Sequence, residues 1–445
     1  MSEINTDRHL YEMNLSLLNI HSSDVYEKLQ KIKSMQGYTI RIVTGKDQTL
    51  SVNNIQLSSR HDRLAQSIYL ASLISKDAAE VHVYGFGLGD VIPILASMEN
   101  IRRICVHILN LEIFKLVLNF IDLATIVSPK VELLYGENLD GKIYSDRIII
   151  IPSVILADDA NLKLAASLDS TLDYHLKRDE IIRQQDKVNE RIYSNIEYIK
   201  NDQDVSALFR IAVNKKIAVV ASGPSLDYGM DLLLDLKRNG ALIVAVDTSG
   251  HCLSKANICA DYVVSIDENI KSEYVNCSAF CGASLVYFPM LKKEVIQCFN
   301  HRFIAYGMGV AYSEIKKRFE HSILFSSGSV LLPAIDLAVK MGTCEIFLFG
   351  ADFAYLDEKT HAGYDNGVLI CPGVQSVEIL GQNGNRLKTH RSFRQYLFDL
   401  ELYIEKCHRN IKFINMSATG ALIRGTISAR DYFRKDMFNK SVDTK

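Results

Sequence analysis

Short apolar runs alternate with stretches of helically spaced apolar residues along most of the chain, and this alternation predicts an α/β fold. Near the N-terminus, a helical stretch precedes two segments, 38–45 and 50–57, in which apolar and polar residues alternate with a period of two. The sequence Gly-Lys-Asp at 45–47 supplies the chemistry of a tight turn between them, so a β-hairpin is predicted. A helix over about 62–75 completes an N-terminal segment that spans 1–75.

A turn with three glycines marks a second domain, predicted over 76–165. It lies in the segment EVHVYGFGLG at 80–89, and further strands are predicted at 104–109 and 147–151. A strand that ends in such a turn is typical of a Rossmann-like unit, whose glycines let the backbone approach a nucleotide or S-adenosylmethionine. Ligand-binding versions usually have an acidic residue after the second strand, where this chain has Asn110. That difference favours a structural domain with an empty or vestigial pocket.

The second half of the chain begins after a polar, charged stretch at 166–213. From about residue 168 that stretch has no Gly or Pro, and its apolar residues are helically spaced, so one or two long helices are predicted as a connector. Regular strand–helix alternation follows and predicts an α/β domain over 214–430. Residues 431–445 remain as a C-terminal tail.

A Ser-Gly-Pro-Ser turn follows the first strand of this domain and is a candidate anion site. Gly223 allows an unusual backbone angle, Pro224 suits the start of a turn, and Ser225 can cap the helix that follows. The unpaired N–H groups of a first helical turn stabilise phosphate or carboxylate. An ordinary strand-to-helix turn is the competing interpretation.

Polar residues also follow the next two predicted strands. Asp247 and Thr248 come after the strand at 241–247, and Asp267 follows the strand at 261–266. The carboxyl ends of parallel strands share one edge of the sheet, where open α/β sheets bind their ligands. A ligand site is therefore favoured over simple helix caps.

Three further segments contribute candidates to this edge of the sheet. A turn ahead of an apolar helix offers a second anion cradle, formed by Ser326, Ser327, Gly328 and Ser329. The strand at 344–349 leads into Gly350, Asp352 and Tyr355, and His361 follows. Residues 388–391, which include His390, are predicted to open a helix with an apolar stripe.

Composition narrows the class of protein. The chain has 445 residues, enough for two or three domains, and 50 Lys and Arg against 52 Asp and Glu give a formal net charge of -2. No general nucleic-acid surface is indicated. The first residues lack the layout of a secretion signal, and no run approaches the ~18 apolar residues of a membrane span. Nine scattered Cys without zinc-finger spacing indicate reduced thiols, so a cytoplasmic protein without a metal is expected.

Several of these segments together resemble the motility accessory factor family of bacterial flagellin glycosyltransferases. They are SGPSL at 222–226, AVDT at 245–248, VSID at 264–267, the turn at 326–329, and GADF at 350–353 with TH at 360–361. The 85–89 turn and SRHD at 59–62 are also similar to that family, so the resemblance spans most of the chain. The central segments resemble bacterial sialyltransferases too, although those enzymes have Asn where this chain has Ser222.

The resemblance implies a multidomain α/β enzyme with a Rossmann-like N-terminal domain, a helical connector and a sialyltransferase-like catalytic domain. Such an enzyme transfers a nonulosonic acid, for example pseudaminic or legionaminic acid, from its CMP-activated form to Ser or Thr of flagellin. The activity serves flagellum assembly and motility, and it needs no cofactor or metal. The implied contacts to the donor come from the turns and strand ends at Ser222, Gly223, Pro224, Ser225, Asp247, Thr248, Asp267, Ser326, Ser327, Gly328, Ser329, Gly350, Asp352 and Tyr355.

Two histidines are candidates for the catalytic base, because an imidazole with a pKa near neutrality accepts a proton from a hydroxyl. His390 corresponds in position to the base of the sialyltransferases, and His361 is then assigned to the leaving phosphate. Two other functions stay open. An archaeal group with the Gly-Pro-Ser turn acts as a pyrophosphokinase on hydroxymethylpterin and needs ATP and Mg²⁺. A flagellin-binding factor without catalytic activity would keep the fold and a vestigial site.

Overall fold

The computed structural model describes residues 8–32, 38–136, 147–165, 168, 185–308, 310–356, 359, 361–362, 376–407 and 411–434. The chain forms two compact units, Met1–Tyr174 and His175–Lys445, and each is described by itself. Both combine helices with parallel β-sheets, so the protein is a multidomain α/β protein. None of the helices in the described ranges combines the length and the apolar character needed to cross a membrane.

The first unit begins with helices Arg8–His21 and Ser23–Gln30, followed by a small antiparallel sheet. Its strands are β1 (Ile40–Thr44), β2 (Gln48–Val52) and β3 (Ile55–Gln56). β1 pairs with β2 from Ile40 opposite Val52 to Thr44 opposite Gln48, which places the turn of this hairpin at the Gly-Lys-Asp segment.

A four-stranded parallel sheet forms the rest of this unit, in the order β6-β5-β4-β7. The strands are β4 (Glu80–Tyr84), β5 (Arg103–Ile108), β6 (Val131–Tyr135) and β7 (Ile148–Ile150). Helices connect or flank them at Arg63–Ser72, Val91–Ser97 and Leu111–Val117. β6 was not predicted from the sequence, because VELLY is short and carries an acidic residue.

The chain's own residues pack closely against the glycine turn of this unit. Gly85, Gly87 and Gly89 all have positive φ, and a Cβ atom on Gly87 would lie 2.7 Å from the carbonyl oxygen of Leu57. The two cavities beside the turn measure only about 20 Å³ each. Asn110 caps the next helix by accepting a bond from the backbone N–H of Ile113. The glycines here allow close packing within the protein.

The second unit is built on a nine-stranded sheet in the order β18-β17-β14-β9-β10-β11-β12-β13-β8, and every pairing in it is parallel. Its strands are β8 (Gln203–Asp204), β9 (Lys216–Val220), β10 (Leu242–Val246), β11 (Tyr262–Ser265), β12 (Ser284–Tyr287), β13 (His301–Ile304), β14 (Glu345–Phe349), β17 (Lys412–Asn415) and β18 (Ile427–Ser428). A separate antiparallel hairpin joins β15 (Ser376–Leu380) to β16 (Arg386–His390).

Helices cover the large sheet, and its central strands are almost entirely apolar because both of their faces are buried. The longer helices are Gln185–Ser194, Ile196–Asn201, Met230–Arg238, Gly250–Lys255, Leu331–Lys340 and Arg391–Cys407, with shorter ones at Ser272–Val275, Lys293–Ile296 and Ser313–Lys316. In β9, every residue after Lys216 is fully buried.

Two predictions about where helices begin in this unit are wrong. Lys388 does not open a helix, because Arg386–His390 pairs with β15 as a strand, in which Leu387 and Thr389 turn inward while Arg386 and Lys388 face solvent. The helix begins at Arg391. Ser225 is not a helix cap either, since Pro224–Tyr228 is a 3₁₀ turn and the α-helix begins only at Met230.

The ends of the predicted connector and tail contribute to the second unit. Gln203–Asp204 adds an edge strand to the large sheet, while residues 166–167 and 169–184 of the connector lie outside the described residues. Tyr432, in the segment predicted as a tail, is buried and donates a hydrogen bond to Glu345 at 3.0 Å. Of the tail, residues 435–445 lie outside the described residues.

Candidate functional site

A cavity of about 900 Å³ opens at the carboxyl ends of strands β9, β10, β11 and β14. This edge of a parallel sheet is where open α/β folds bind ligands. Most residues predicted from the sequence line the cavity, namely Ser222, Gly223, Asp247, Thr248, Asp267, Ser326, Gly328, Ser329, Gly350, Asp352 and His361. The cavity lining does not include Pro224, Ser225, Ser327, Tyr355 or His390.

The Ser-Gly-Pro-Ser turn after β9 binds a carboxylate of the protein itself. Ser225 donates from its backbone N–H to Oδ2 of Asp352 at 2.7 Å and from its hydroxyl to Oδ1 at 2.5 Å. The Ser417 hydroxyl donates to the same Oδ1 at 2.6 Å. All three residues are buried. The anion cradle predicted at Ser225 is therefore filled by Asp352 and leaves no room there for a ligand phosphate.

Gly223 is needed for packing and not for an unusual backbone angle. Its φ of -62° and ψ of 154° are ordinary extended values, so the predicted unusual angle is wrong. A Cβ atom at this position would lie 2.6 Å from Oδ2 of Asp352 and would also meet the carbonyl oxygen of Gly350. Gly350 itself has a φ of +63°, a conformation that favours glycine. The two strand ends thus approach more closely than side chains would permit.

Two hydroxyls of neighbouring strand ends join at the cavity wall. Thr248 donates from Oγ1 to the hydroxyl oxygen of Ser222 at 2.9 Å, and both side chains are half-buried. Such a pair leaves hydroxyl oxygens and lone pairs available to a ligand that enters from the cavity.

The carboxylates at the ends of β10 and β11 differ in their surroundings. Asp247 is buried and accepts hydrogen bonds from the Ser265 hydroxyl at 2.7 Å and from the backbone N–H of Thr248 at 2.8 Å. Burial raises the pKa of Asp247 to about 7, against the effect of those two hydrogen bonds. Asp267 is exposed and accepts a bond from the backbone N–H of Asn269. Burial therefore favours the protonated form of Asp247 relative to an exposed carboxyl group.

In the second turn, at 326–329, Ser326 and Ser329 line the cavity, whereas Ser327 does not. The hydroxyl of Ser326 accepts a bond from the backbone N–H of Met308, and that of Ser329 accepts one from Leu331 at the start of its helix. Ser327 instead donates to Asp399 at 2.5 Å. Gly328 has a φ of +73°, and a Cβ there would lie 2.8 Å from the Tyr396 ring.

The two candidate histidines differ in their relation to the cavity, because His361 lines it and His390 does not. His361 lies on the cavity wall, and its segment is anchored to the first turn because the backbone N–H of Ala362 donates to the carbonyl of Ser222 at 2.8 Å. The ring of His390 packs against that of Phe393, with 4.0 Å between centroids. Phe393 is part of the wall. His361 thus contacts the cavity directly, while the ring contact of His390 with the wall is made through Phe393.

Burial lowers the pKa of both histidines below the usual value. Desolvation disfavours an imidazolium, so each ring is mainly neutral at pH 7. A neutral imidazole can accept a proton, which is the state that a general base requires.

Aromatic side chains line the cavity and were not selected from the sequence. They are Phe288, Tyr312, Phe353, Phe393 and Tyr396. Phe393 and Tyr396 were assigned to an apolar helical stripe, because their spacing is also that of a core-facing helix. Among the described lining residues there is no Lys or Arg, whereas Asp247, Asp267 and Glu268 are acidic. Glu268 is paired with Arg191 at 2.9 Å.

The fold and this cavity define an α/β protein with a ligand crevice at the carboxyl edge of a parallel sheet. The family model for 6-hydroxymethylpterin diphosphokinase MptE-like proteins matches residues 190–358, well under half of the chain. The chain also shows a likeness to the structure of MAf glycosyltransferase from Magnetospirillum magneticum AMB-1. That likeness has a TM-score of 0.47 at 15% identity, over 95% of this chain and 75% of that chain, and at this distance it carries no argument. No sequence match was found among the curated proteins.

Proposed function

We propose that this protein is a glycosyltransferase that moves a nonulosonic acid, such as pseudaminic or legionaminic acid, from its CMP-activated form to Ser or Thr of flagellin. The acceptor and the sugar rest on the resemblance of the sequence motifs. The observation that supports transfer chemistry is the arrangement of both Ser-Gly turns and His361 around one cavity.

The cavity suits a nucleotide sugar in size and in the chemistry of its wall. Pockets for small molecules usually measure about 300–1,000 Å³, and this one measures about 900 Å³. Its aromatic side chains offer flat apolar surfaces for a base or a sugar ring. The hydroxyls of Ser222, Thr248 and Ser326 offer hydrogen bonds to the phosphate and the sugar carboxylate.

The reaction requires one proton transfer. The acceptor hydroxyl oxygen forms a bond to the anomeric carbon while the bond from that carbon to the CMP phosphate oxygen breaks. The hydroxyl proton then needs an acceptor, and His361 is the neutral imidazole on the wall. We therefore assign the base to His361 and assign His390 to positioning Phe393, which reverses the assignment that the motif resemblance implied.

Phosphate stabilisation by His361 is the less favourable role. A cation beside the leaving phosphate would have to be an imidazolium, and burial disfavours that form. The leaving phosphate would instead bind hydroxyls of the two turns, such as those of Ser222 and Ser326.

A second candidate function is transfer of a diphosphoryl group from ATP, with release of AMP, as in 6-hydroxymethylpterin diphosphokinase. The match of that family model to residues 190–358 favours it, and so does the acidic lining with Asp247 and Asp267. Mg²⁺ is commonly held by one or two carboxylates together with substrate phosphates. Asp352 would not take part, because its carboxylate already accepts three hydrogen bonds from Ser225 and Ser417.

Ligand-induced stabilisation separates the two functions. The full-length protein is melted alone, with CMP, and with ATP plus Mg²⁺. A ligand at 100 times its dissociation constant stabilises the folded state by about 2.7 kcal/mol. Stabilisation by CMP without metal supports sugar transfer, stabilisation by ATP only in the presence of Mg²⁺ supports the kinase, and no response to either ligand contradicts both.

A further inference from the structure

Outside the large cavity, the parallel sheet of the first unit has a cluster of metal-binding side chains on one face. Among the described residues, one group of three His, Cys, Asp or Glu side chains brings its ligand atoms within 4.8 Å of one another, and it consists of Glu80, His82 and Cys105. Glu80 and His82 lie on β4, and Cys105 lies directly opposite His82 on β5. The intervening Val81 and Ile104 are buried on the other face. The cluster follows from the period-two alternation of two paired strands.

Two of the separations between the ligand atoms lie within a few tenths of an ångström of those around a tetrahedral zinc ion, and the third is under 4.8 Å. Nε2 of His82 is 3.1 Å from Oε1 of Glu80, and Sγ of Cys105 is 3.9 Å from the same oxygen. Zinc lies about 2.0–2.2 Å from nitrogen and oxygen ligands and about 2.3 Å from sulfur, so neighbouring ligand atoms in a tetrahedron are roughly 3.3–3.8 Å apart. Small side-chain adjustments would therefore bring all three atoms onto one ion.

The surroundings of the cluster support binding of a metal ion. Nδ1 of His82 lies 3.0 Å from Nε2 of His107. A ligating histidine usually makes such a hydrogen bond through its second ring nitrogen, which fixes the ring and leaves the first nitrogen for the metal. Nη1 of Arg103 donates to Oε1 of Glu80 at 3.5 Å, whereas its bonds to Glu132 are shorter, at 3.0 Å and 2.7 Å. The closer partner of Arg103 is therefore Glu132.

We propose that Glu80, His82 and Cys105 bind one zinc ion, with a water molecule as the fourth ligand. A thiolate, an imidazole and a carboxylate together favour zinc over the harder Mg²⁺ and Ca²⁺. Cys105 is 1% exposed, whereas the side chains of Glu80 and His82 are 41% and 34% exposed, so the ion reaches its ligands through the carboxylate and imidazole. The site is independent of the cavity in the second unit.

The competing arrangement has a proton in place of the metal. A protonated His82 would donate to Glu80, and Cys105 would remain a thiol. That arrangement has no affinity for zinc in particular, and it predicts that the wild-type protein and variants of these residues take up the same amount of zinc.

The test uses the full-length protein with Zn²⁺ and with Co²⁺ as a spectroscopic probe. After removal of metal and dialysis against Zn²⁺, we expect one zinc ion per chain, and with Co²⁺ we expect a thiolate-to-metal charge-transfer band. Cys105→Ser should lose the band and His82→Gln the stoichiometric zinc. His107→Phe, which retains a ring, should lower the affinity by about 10- to 100-fold. Cys252→Ser, a change at a buried Cys of the second unit, should behave like the wild type.

The wild-type spectrum decides the question even if a variant fails to fold. A wild-type cobalt complex without the thiolate band overturns the proposal, as does a wild-type protein that retains no zinc. Zinc binding that survives unchanged in folded Cys105→Ser and His82→Gln variants also overturns it. Circular dichroism of each variant establishes which of them are folded.

Discussion

Ser225 and Asp352 are 127 residues apart in sequence and are joined by two hydrogen bonds at the floor of the cavity. The bonds connect the turn after β9 to the segment after β14, which are neighbouring strands. Because Ser417 also donates to Asp352, this carboxylate connects three chain segments. The shape of the cavity floor therefore depends on one buried carboxyl group.

Replacing the Asp352 carboxyl group should destabilise the protein. Asp352→Asn puts an amide where three donors converge, so at least one buried donor loses its partner, and the expected loss is about 2–4 kcal/mol of unfolding free energy. Urea unfolding at constant m-value measures the loss. Asp267→Asn, the same change at an exposed strand end, should alter the midpoint little. Equal midpoints for the two variants would show that Asp352 does not stabilise the floor.

A side chain at position 223 should disturb both the floor and the binding of CMP. Gly223→Val directs atoms at Asp352 and Gly350, so we expect a lower melting temperature and weaker stabilisation by CMP. The matched control is Gly240→Ala. A Cβ atom at position 240 would meet no other atom within 4 Å, but the residue has a φ of +84°. It should lower stability through backbone strain alone, by roughly 1 kcal/mol, and leave the CMP response intact. A CMP response that is unchanged in Gly223→Val would place the nucleotide elsewhere.

Asp247 should make the protein less stable as the pH rises. Its pKa is about 7 in the folded state against the ordinary value of 3.8 for an Asp side chain in the unfolded state, so between these values the folded state binds more protons than the unfolded state. Stability from this group is fully present below pH 3.8 and is lost as the pH rises through about 7. Asp247→Asn should remove this slope from the unfolding free energy measured between those limits. The exposed Asp235→Asn should keep the wild-type slope, and an unchanged slope in Asp247→Asn would refute the assignment.

The aromatic side chains that line the cavity should contribute more to ligand affinity than to the free energy of unfolding. Tyr396→Leu removes a ring that lines the cavity and contacts the glycine of the second turn, so we expect weaker CMP binding by about 0.5–1.5 kcal/mol. Isothermal titration gives the affinity directly. Leu402→Ala, at an exposed position on the same helix, is the control. Wild-type affinity in Tyr396→Leu would exclude this ring from the nucleotide site.

The sequence was sufficient to predict the features that depend on local pattern. β9 and β14 could be recognised because doubly buried parallel strands are continuous apolar runs such as KIAVV and EIFLF. The polar residues at the ends of β10 and β11 could be placed at one edge of the sheet, because the carboxyl ends of parallel strands lie at the same edge. Asp247 and Asp267 accordingly both line the cavity.

Features that depend on long-range contact were out of reach. No local signal shows that Asp352 fills the turn at Ser225, because the partner is distant in sequence. Phe393 and Tyr396 have the helical spacing of core residues. They differ from core residues only because they face the cavity. β16 was taken for part of a helix, since its partner β15 is what makes RLKTH a strand.

Transfer by the purified full-length protein tests the central claim most directly. The protein is incubated with a CMP-nonulosonic acid and flagellin, and the mass of intact flagellin is followed with time. We expect mass increments of one sugar residue, and we expect His361→Ala to slow them by about 10²- to 10⁴-fold while it still binds CMP. The account would be contradicted if flagellin gained no mass with the wild-type protein, or if His361→Ala transferred the sugar at the wild-type rate.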